Sequence, residues 1–233
     1  TAYQGSGVGI AVIDSGVSPH TDLKDRIVYS ESFIPAKAGQ SAGDAVKDWF
    51  GHGTHIAGIV AGNGASSTRL DGKKPLKGMA SLANIVNLRV LDEYGSGYDS
   101  DVIDAINRAI SLKKKYNIRV INLSLGRPVF DSYLNDPLCL ATEKAWKSGI
   151  VVVVAAGNYG RNNFVGNEGY GTIAAPGNDP YVITVGAMKH AGTGTRVDDT
   201  MASYSSKGPS QLDHVVKPDL VAPGNRVASL MPL

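Results

Sequence analysis

The chain predicts an open, doubly wound α/β fold: a mostly parallel sheet with helices on both faces. Apolar bursts recur from end to end, at GIAVID (9–14), NIVNLRVL (84–91), RVINLSL (119–125), GIVVVVAA (149–156) and YVITVGA (181–187). Continuous runs rich in Val and Ile belong to strands covered on both sides, the condition of a parallel sheet. Between the runs lie stretches of helical period, and that alternation marks βαβ units.

Taken in order, GIAVID ends on Asp14 and is followed by Ser15-Gly16, so a carboxylate stands at a strand end where the chain turns. Alone, it is a turn or N-cap residue as readily as a working one. GHGTHIAGIVAG (51–62) reads as a helix opened by His52, with Gly58 and Ala61 letting it lie close to its neighbours. That holds His52 rigidly beside the sheet edge. Ser100 to Lys115 places Val102, Ile103, Ile106, Ala109 and Ile110 on one stripe, and Pro137 to Lys147 carries Leu138, Ala141 and Ala145 before Gly149 stops it. Residues 63–77 and 189–203 are expected to be long surface loops. Ligands of such a sheet bind beyond the carboxyl ends of its strands, which singles out Asp14 and residues 94–98, 124–126 and 155–158.

A length of 233 residues fits one large domain, taken as 1–233. Lys+Arg 23 against Asp+Glu 21 leaves a net charge of +2 and no excess that would suit nucleic acid as a partner. The basic run Lys113-Lys114-Lys115 suits the last turn of a helix, and Lys73-Lys74 a solvated loop. Cys139 is the only cysteine, which excludes an internal disulfide and a cysteine-rich zinc site. The longest apolar run, 150–156, is too short to span a bilayer, and no signal peptide opens the chain at Thr1. A soluble protein with no membrane partner is expected.

His52 and His55 stand three apart, whereas helical zinc pairs use histidines four apart with a glutamate between. The spacing argues for one working histidine, His52, and a structural His55. His20, His190 and His214 fall in apparent loops without partners. GSGYDS (95–100) follows a strand and precedes a helix, as a dinucleotide fingerprint does, but Ser100 stands where the third glycine belongs. Asn158 closes VVVVAAGN with an amide that could cap a helix or donate to an oxyanion. The sequon Asn122-Leu123-Ser124 lies inside a buried strand pattern and is discounted.

Together AVIDSGV (11–17), GHGTHIAGIVAG (51–62), VINLSLG (120–126), VVVVAAGN (151–158) and KPDLVAPG (217–224) resemble the subtilisin-like serine proteases, the subtilases of peptidase family S8. The matches run in order over almost the whole chain. The resemblance implies that Asp14 orients and stabilises the imidazolium, and that His52 is general base and then general acid. It implies that Asn158 donates its amide to the tetrahedral oxyanion. Gly95-Ser96-Gly97 and Ser124-Leu125-Gly126 would be the two extended segments that clamp a substrate strand through backbone hydrogen bonds. Ala155, Ala156 and Gly157 would floor the pocket for the residue before the scissile bond, with room for a large apolar or aromatic side chain. A cis bond at Ala175-Pro176, an inhibitory propeptide and secretion are implied in the same way. No cofactor is required for such catalysis. Structural calcium is common in the family, yet 63–77 carries only Asp71, while Asp22 with Asp25 and Asp198-Asp199 read equally as solvated turns, so calcium stays unassigned and no metal residue is named.

The family places its nucleophilic serine in a Gly-Thr-Ser-Met-Ala segment beyond the Ala-Pro-Gly turn, and these 233 residues hold no such segment. Ser203, Ser205 and Ser206 lie in SYSSKGP, which resembles a structural turn of the family, and Ser229 has no small-residue helix after it. The fold is therefore expected to be C-terminally incomplete, with the chain supplying Asp, His and the oxyanion Asn but not the Ser, and inactive alone. Three readings stay open: one piece of a nicked protease whose separate C-terminal fragment carries the serine, an inactive truncated fragment, or a catalytically dead peptide-binding module. Loss of a covering helix would leave a large apolar face.

Overall fold

The computed structural model describes residues 3–67, 75–164 and 166–232. By length, 1–233 is expected to be one domain; the chain groups into two compact units, Thr1–Asn122 with Ala228–Leu233, and Leu123–Val227.

The first unit holds four strands, β1 (Gly9–Asp14), β2 (Ile27–Ser32), β3 (Asn84–Arg89) and β4 (Ile118–Leu123), in the order β2-β3-β1-β4. β1 and β2 each run parallel to β3. Its helices are α1 (Ala42–Ala45), α2 (His52–Ala61) and α3 (Asp99–Tyr116). Every residue of β1 is buried because both its faces are covered. Ile10 and Val12 join Leu23, Ile85 and the α2 residues Ala57 and Ala61 in one core. Gly9 points the other way, toward α3, where an added Cβ would come within 2.3 Å of the Tyr116 carbonyl.

α3 buries Val102, Ala105, Ile106 and Ala109. The buried stripe is thus centred one residue away from the predicted one: Ala105 is inside, and Ile103 and Ile110 are only half-buried. Lys113, Lys114 and Lys115 occupy its last turn, where cations complement the helix dipole. Asn117 ends the helix at φ 47° and donates its amide to the Gly7 carbonyl at 2.8 Å. β2 has no counterpart among the predicted elements, because the sheet-edge sequence IVYSES is half-exposed and lacks a continuous apolar run.

The second unit contains α4 (Pro137–Lys147), β5 (Val151–Ala155), β6 (Ile183–Lys189), β7 (Thr200–Met201) and β8 (Leu220–Pro223). β6 is parallel to β5 and β8 and antiparallel to β7. β7 falls inside the stretch 189–203 predicted as loop. Asp136 caps α4 by accepting the Leu138 amide at 2.9 Å, and Gly149, at φ 76°, turns the chain out of it as its position predicted. The Ala175-Pro176 bond is cis.

Burial on both faces holds for β1 and fails for β5 and β6, whose residues alternate. Val152, Val154 and Thr184 are buried, and α4 packs against β5. Val151, Ile183 and Leu220 lie on the opposite face and are 44%, 38% and 47% exposed, so among the described residues that face carries no helix.

Two polar residues differ from expectation: Asp22, read as part of a solvated turn, and His20, read as a loop residue without a partner. Asp22 is buried and accepts the Ser66 amide at 2.7 Å, so it tethers the start of the 63–77 stretch. His20, expected to lack a partner, accepts the Asp22 amide at 3.1 Å and caps the 3₁₀ turn Thr21–Leu23. Asp71 and Lys73-Lys74 lie outside the described residues. No described helix is long and apolar enough to cross a membrane.

Ile106 is fully buried in the layer between α3 and the sheet. Ile106→Ala is expected to cost about 2–5 kcal/mol, read from the shift of a urea unfolding midpoint at unchanged slope.

Candidate active site

Asp14 is the last residue of β1 and shares the face of Ile10 and Val12, the one α2 covers. Its carbonyl accepts the Val90 amide at 2.8 Å, which fixes the strand end against the exit of β3. Its side chain is fully buried, and Oδ1 accepts the Ser15 amide at 2.7 Å. His52 Nδ1 lies 2.8 Å from Oδ1 and 3.0 Å from Oδ2 of the same carboxylate. With Nδ1 donating to Asp14, the neutral ring leaves Nε2 as a proton acceptor. The His52 side chain is 38% exposed, so the ring is reachable while its partner is not.

α2 begins at His52 with Gly51 as its N-cap, at φ 100° and with no side chain to accept the first-turn amides. Those amides need acceptors from elsewhere. Buried Asp48 supplies one: Oδ2 accepts the Thr54 amide at 2.8 Å, while Oδ1 accepts the amides of the preceding Gly51 at 2.6 Å and Phe50 at 3.1 Å. Ser15 completes the set, accepting the Gly53 amide at 2.9 Å and donating its hydroxyl to Asp48 Oδ1 at 2.8 Å. Thr54 in turn accepts the Ser18 amide at 3.0 Å. A negative charge at a helix N-terminus is favoured by the dipole as well.

The glycines around His52 follow from this packing. A Cβ on Gly53 would stand 2.1 Å from the Gly16 carbonyl, and one on Gly58 would stand 2.3 Å from Ser229 Oγ. The first turn of α2 therefore presses on the loop that follows Asp14. The Ser229 hydroxyl donates to the backbone carbonyl of His55, within α2, at 2.6 Å.

Hydrogen bonding to Asp14 holds the His52 pKa above its usual 6.5; burial pulls it down, and the charges of Asp14 and Asp48 add to the rise. Folded His52 thus holds its proton more tightly than the unfolded chain does. The pair stabilises the fold fully below about pH 6.5, and that contribution is lost as pH rises through the raised value.

Of the segments named for substrate, residues 95–97 belong to the first unit. Gly95 lies at φ 76° in a turn closed by Asp92, whose Oδ1 accepts the amides of Tyr94 and Ser96 at 2.9 Å each. Ser96 and Gly97 are exposed beyond it. The other two segments and Asn158 belong to the second unit. Arg127, next to Gly126, exchanges backbone hydrogen bonds with Ala175 at 3.1 and 2.9 Å, and the Ala174 amide donates to the Ala156 carbonyl at 2.9 Å. Residues 124–126 and 155–157 are thereby held to one short support, Ala174-Ala175. Gly157 sits at φ 103° with an added Cβ 2.8 Å from Ser206 Oγ, and Asn158 beyond it is exposed.

The serines of SYSSKGP are committed. Ser206 is buried and accepts the Tyr159 amide at 3.1 Å, buried Ser205 accepts that of Ala187 at 2.9 Å, and Ser203 accepts from Arg161. Sequence reasoning missed Asp48 and Ser15. The signal was present: a helix capped by glycine must borrow an acceptor, and Asp48 is the nearest carboxylate upstream. Among the described residues no three His, Cys, Asp or Glu side chains could together hold a metal ion.

A buried strand-end carboxylate thus stands against the first histidine of a glycine-rich helix. The match to the Subtilase family model extends over residues 5–231, and the chain belongs to that family. It is 39% identical to Serine protease AprX of Bacillus subtilis (strain 168), covering 97% of this chain and 48% of the relative. It is 36% identical to Subtilisin E of the same organism, over 99% of this chain and 50% of the other. The chain thus spans about half the length of these curated relatives. Among solved structures, Sphericase superposes with a TM-score of 0.78 at 30% identity, over 98% of this chain and 70% of the other.

NMR titration of the His52 ring is expected to give a midpoint above 6.5, and Asp14→Asn to bring it down; an unchanged midpoint would sever the link between them. Gly53→Ala is expected to destabilise by about 1–3 kcal/mol in denaturant melts, because backbone must move. Gly43, where an added Cβ would meet only Ser41 Oγ at 3.9 Å, provides the tolerant control.

Proposed function

We propose that these residues form the acid–base and oxyanion-binding part of a serine endopeptidase that cleaves peptide bonds by acyl transfer. The observation that carries the reading is the 2.8 Å contact of His52 Nδ1 with the buried Asp14 carboxylate. In the proposed cycle, His52 Nε2 takes the proton of a serine hydroxyl as its oxygen attacks the substrate carbonyl. Asp14 stabilises the imidazolium, and the fully buried setting strengthens that attraction. The carbonyl oxygen, now an anion, accepts the Asn158 amide. His52 then gives its proton to the departing amine, and water repeats the sequence on the acyl-enzyme.

The serine is proposed to come from polypeptide outside these 233 residues, in the same protein or in a separate C-terminal fragment. Gly95, Ser96, Gly97, Ser124, Leu125 and Gly126 are proposed to bind the substrate backbone. Ala155, Ala156 and Gly157 are proposed to floor the pocket before the scissile bond, whose small lining suits large apolar side chains. No cofactor enters these steps. Secretion and an inhibitory propeptide rest on family likeness alone.

The test is intact-mass spectrometry of the purified protein under denaturing conditions, before and after a fluorophosphonate that labels activated serines. An adduct on a serine outside residues 1–233, lost in His52→Ala, is the expected result. An adduct on a serine within them overturns the assignment, and no adduct at all means an inactive truncated fragment or a peptide-binding module. In the active protease, Asn158→Ala is expected to lower kcat about 10²–10³-fold, a figure carried over from a subtilisin rather than deduced for this chain.

A further inference from the structure

A cavity of the first unit, of about 440 Å³, opens between the exit of β2 and the segment leading into α2, apart from every residue assigned above. Ile34, Pro35 and Trp49 are among its lining residues, Lys37 and Glu93 are two more, and Arg89 lines it with a buried side chain. Arg89 is only 4% exposed. Its Nε donates to the Leu91 carbonyl at 3.2 Å and its Nη1 to the Ala45 carbonyl at 2.9 Å. Nη2 has no acceptor among the described residues, and Arg89 has no ion pair there.

A buried guanidinium without a carboxylate partner is an unusual state, because taking a charge out of water is costly unless an opposite charge compensates it. The carboxylates near Arg89 are occupied. Asp92 accepts two backbone amides, Asp48 holds the first turn of α2, and Glu93 pairs with Lys37 across the cavity. Burial pushes the Arg89 pKa down, with Glu93, Asp48 and Asp92 only partly opposing it. The charged Nη2 can donate to a carboxylate oxygen, and apolar walls favour a ligand whose stem is hydrophobic.

We propose that this cavity binds a carboxylate carried on a short apolar stem, seated with its oxygens on Arg89 Nη2 and its stem against Ile34, Pro35 and Trp49. The Lys37–Glu93 pair borders the site, and the Glu93 charge repels the incoming anion. A free organic acid and a glutamate side chain of a peptide present the same chemistry. The site does not rest on the proteolytic reading.

Trp49 is one of two tryptophans, so its fluorescence can be followed in a Trp146→Phe background. The probes are 4-phenylbutyrate and N-acetyl-Leu-Glu-amide, each beside its neutral counterpart, 4-phenylbutyramide and N-acetyl-Leu-Gln-amide. At least one acid is expected to change Trp49 emission saturably, with its neutral counterpart weaker by about tenfold or more, and the tighter acid assigns the source. Glu93→Gln, on a half-buried side chain that holds no backbone in place, is expected to tighten acid binding and leave the neutral probes unchanged. Arg89→Gln is expected to abolish the selectivity, with thermal melting to separate lost binding from lost folding. Equal binding of acid and amide, no saturable response to either acid, or a Glu93→Gln affinity no tighter than the parent overturns the proposal.

Discussion

The carboxylate of Asp48 holds the rest of the first unit's site in register. It ties the turn after β1, through Ser15, to its own loop, through Phe50 and Gly51, and to the first turn of α2 that follows, through Thr54. A helix with glycine at its N-cap would otherwise begin with unpaired amides and a frayed first turn. His52 stands in that turn, so the precision of its ring relative to Asp14 depends on a residue that touches neither ring nitrogen. Each hydrogen bond to a buried carboxylate is stronger than one between neutral groups, and the low dielectric adds to that.

This arrangement assigns separate duties to neighbouring carboxylates. Asp14 faces the imidazole and is the chief cause of its raised pKa, to which the Asp48 charge adds a little, whereas Asp48 faces backbone and sets its place. The glycines complete the division: Gly51 supplies a left-handed conformation closed to most residues, and Gly53 permits contact between backbones that any side chain would part. Two histidines crowded among glycines thus reflect a packing demand, and His52 is the one whose ring meets Asp14.

Much of this was legible in the sequence, for a physical reason. Strands buried on both faces announce themselves as continuous apolar runs, so β1 and β3 were plain, and helices with one apolar stripe and charged last turns, such as α3, were nearly so. What escaped was of two kinds. Edge strands such as β2 have half their surface in water and carry no distinctive composition. Long-range polar pairings such as Asp22 with the Ser66 amide, or Asp48 with Thr54, depend on how the chain folds back, which no local pattern encodes. β5 and β6 misled for the converse reason: their Val and Ile content promised two covered faces, and burial alternates instead. At the candidate site the Asp14–His52 partnership was legible through family resemblance, while the support of residues 124–126 and 155–157 by Ala174-Ala175 emerged only from the folded chain.

Because Asp48 resets the chain just before α2, the exposed stretch 35–39 upstream of it is mechanically insulated from the histidine. Lengthening such a loop is cheap, about 0.6 kcal/mol for each doubling. Its outer rim borders the cavity above Arg89, so descendants of one ancestral gene could exchange that rim freely and diverge in what they recognise there, while the proton-handling pair beneath is inherited unaltered.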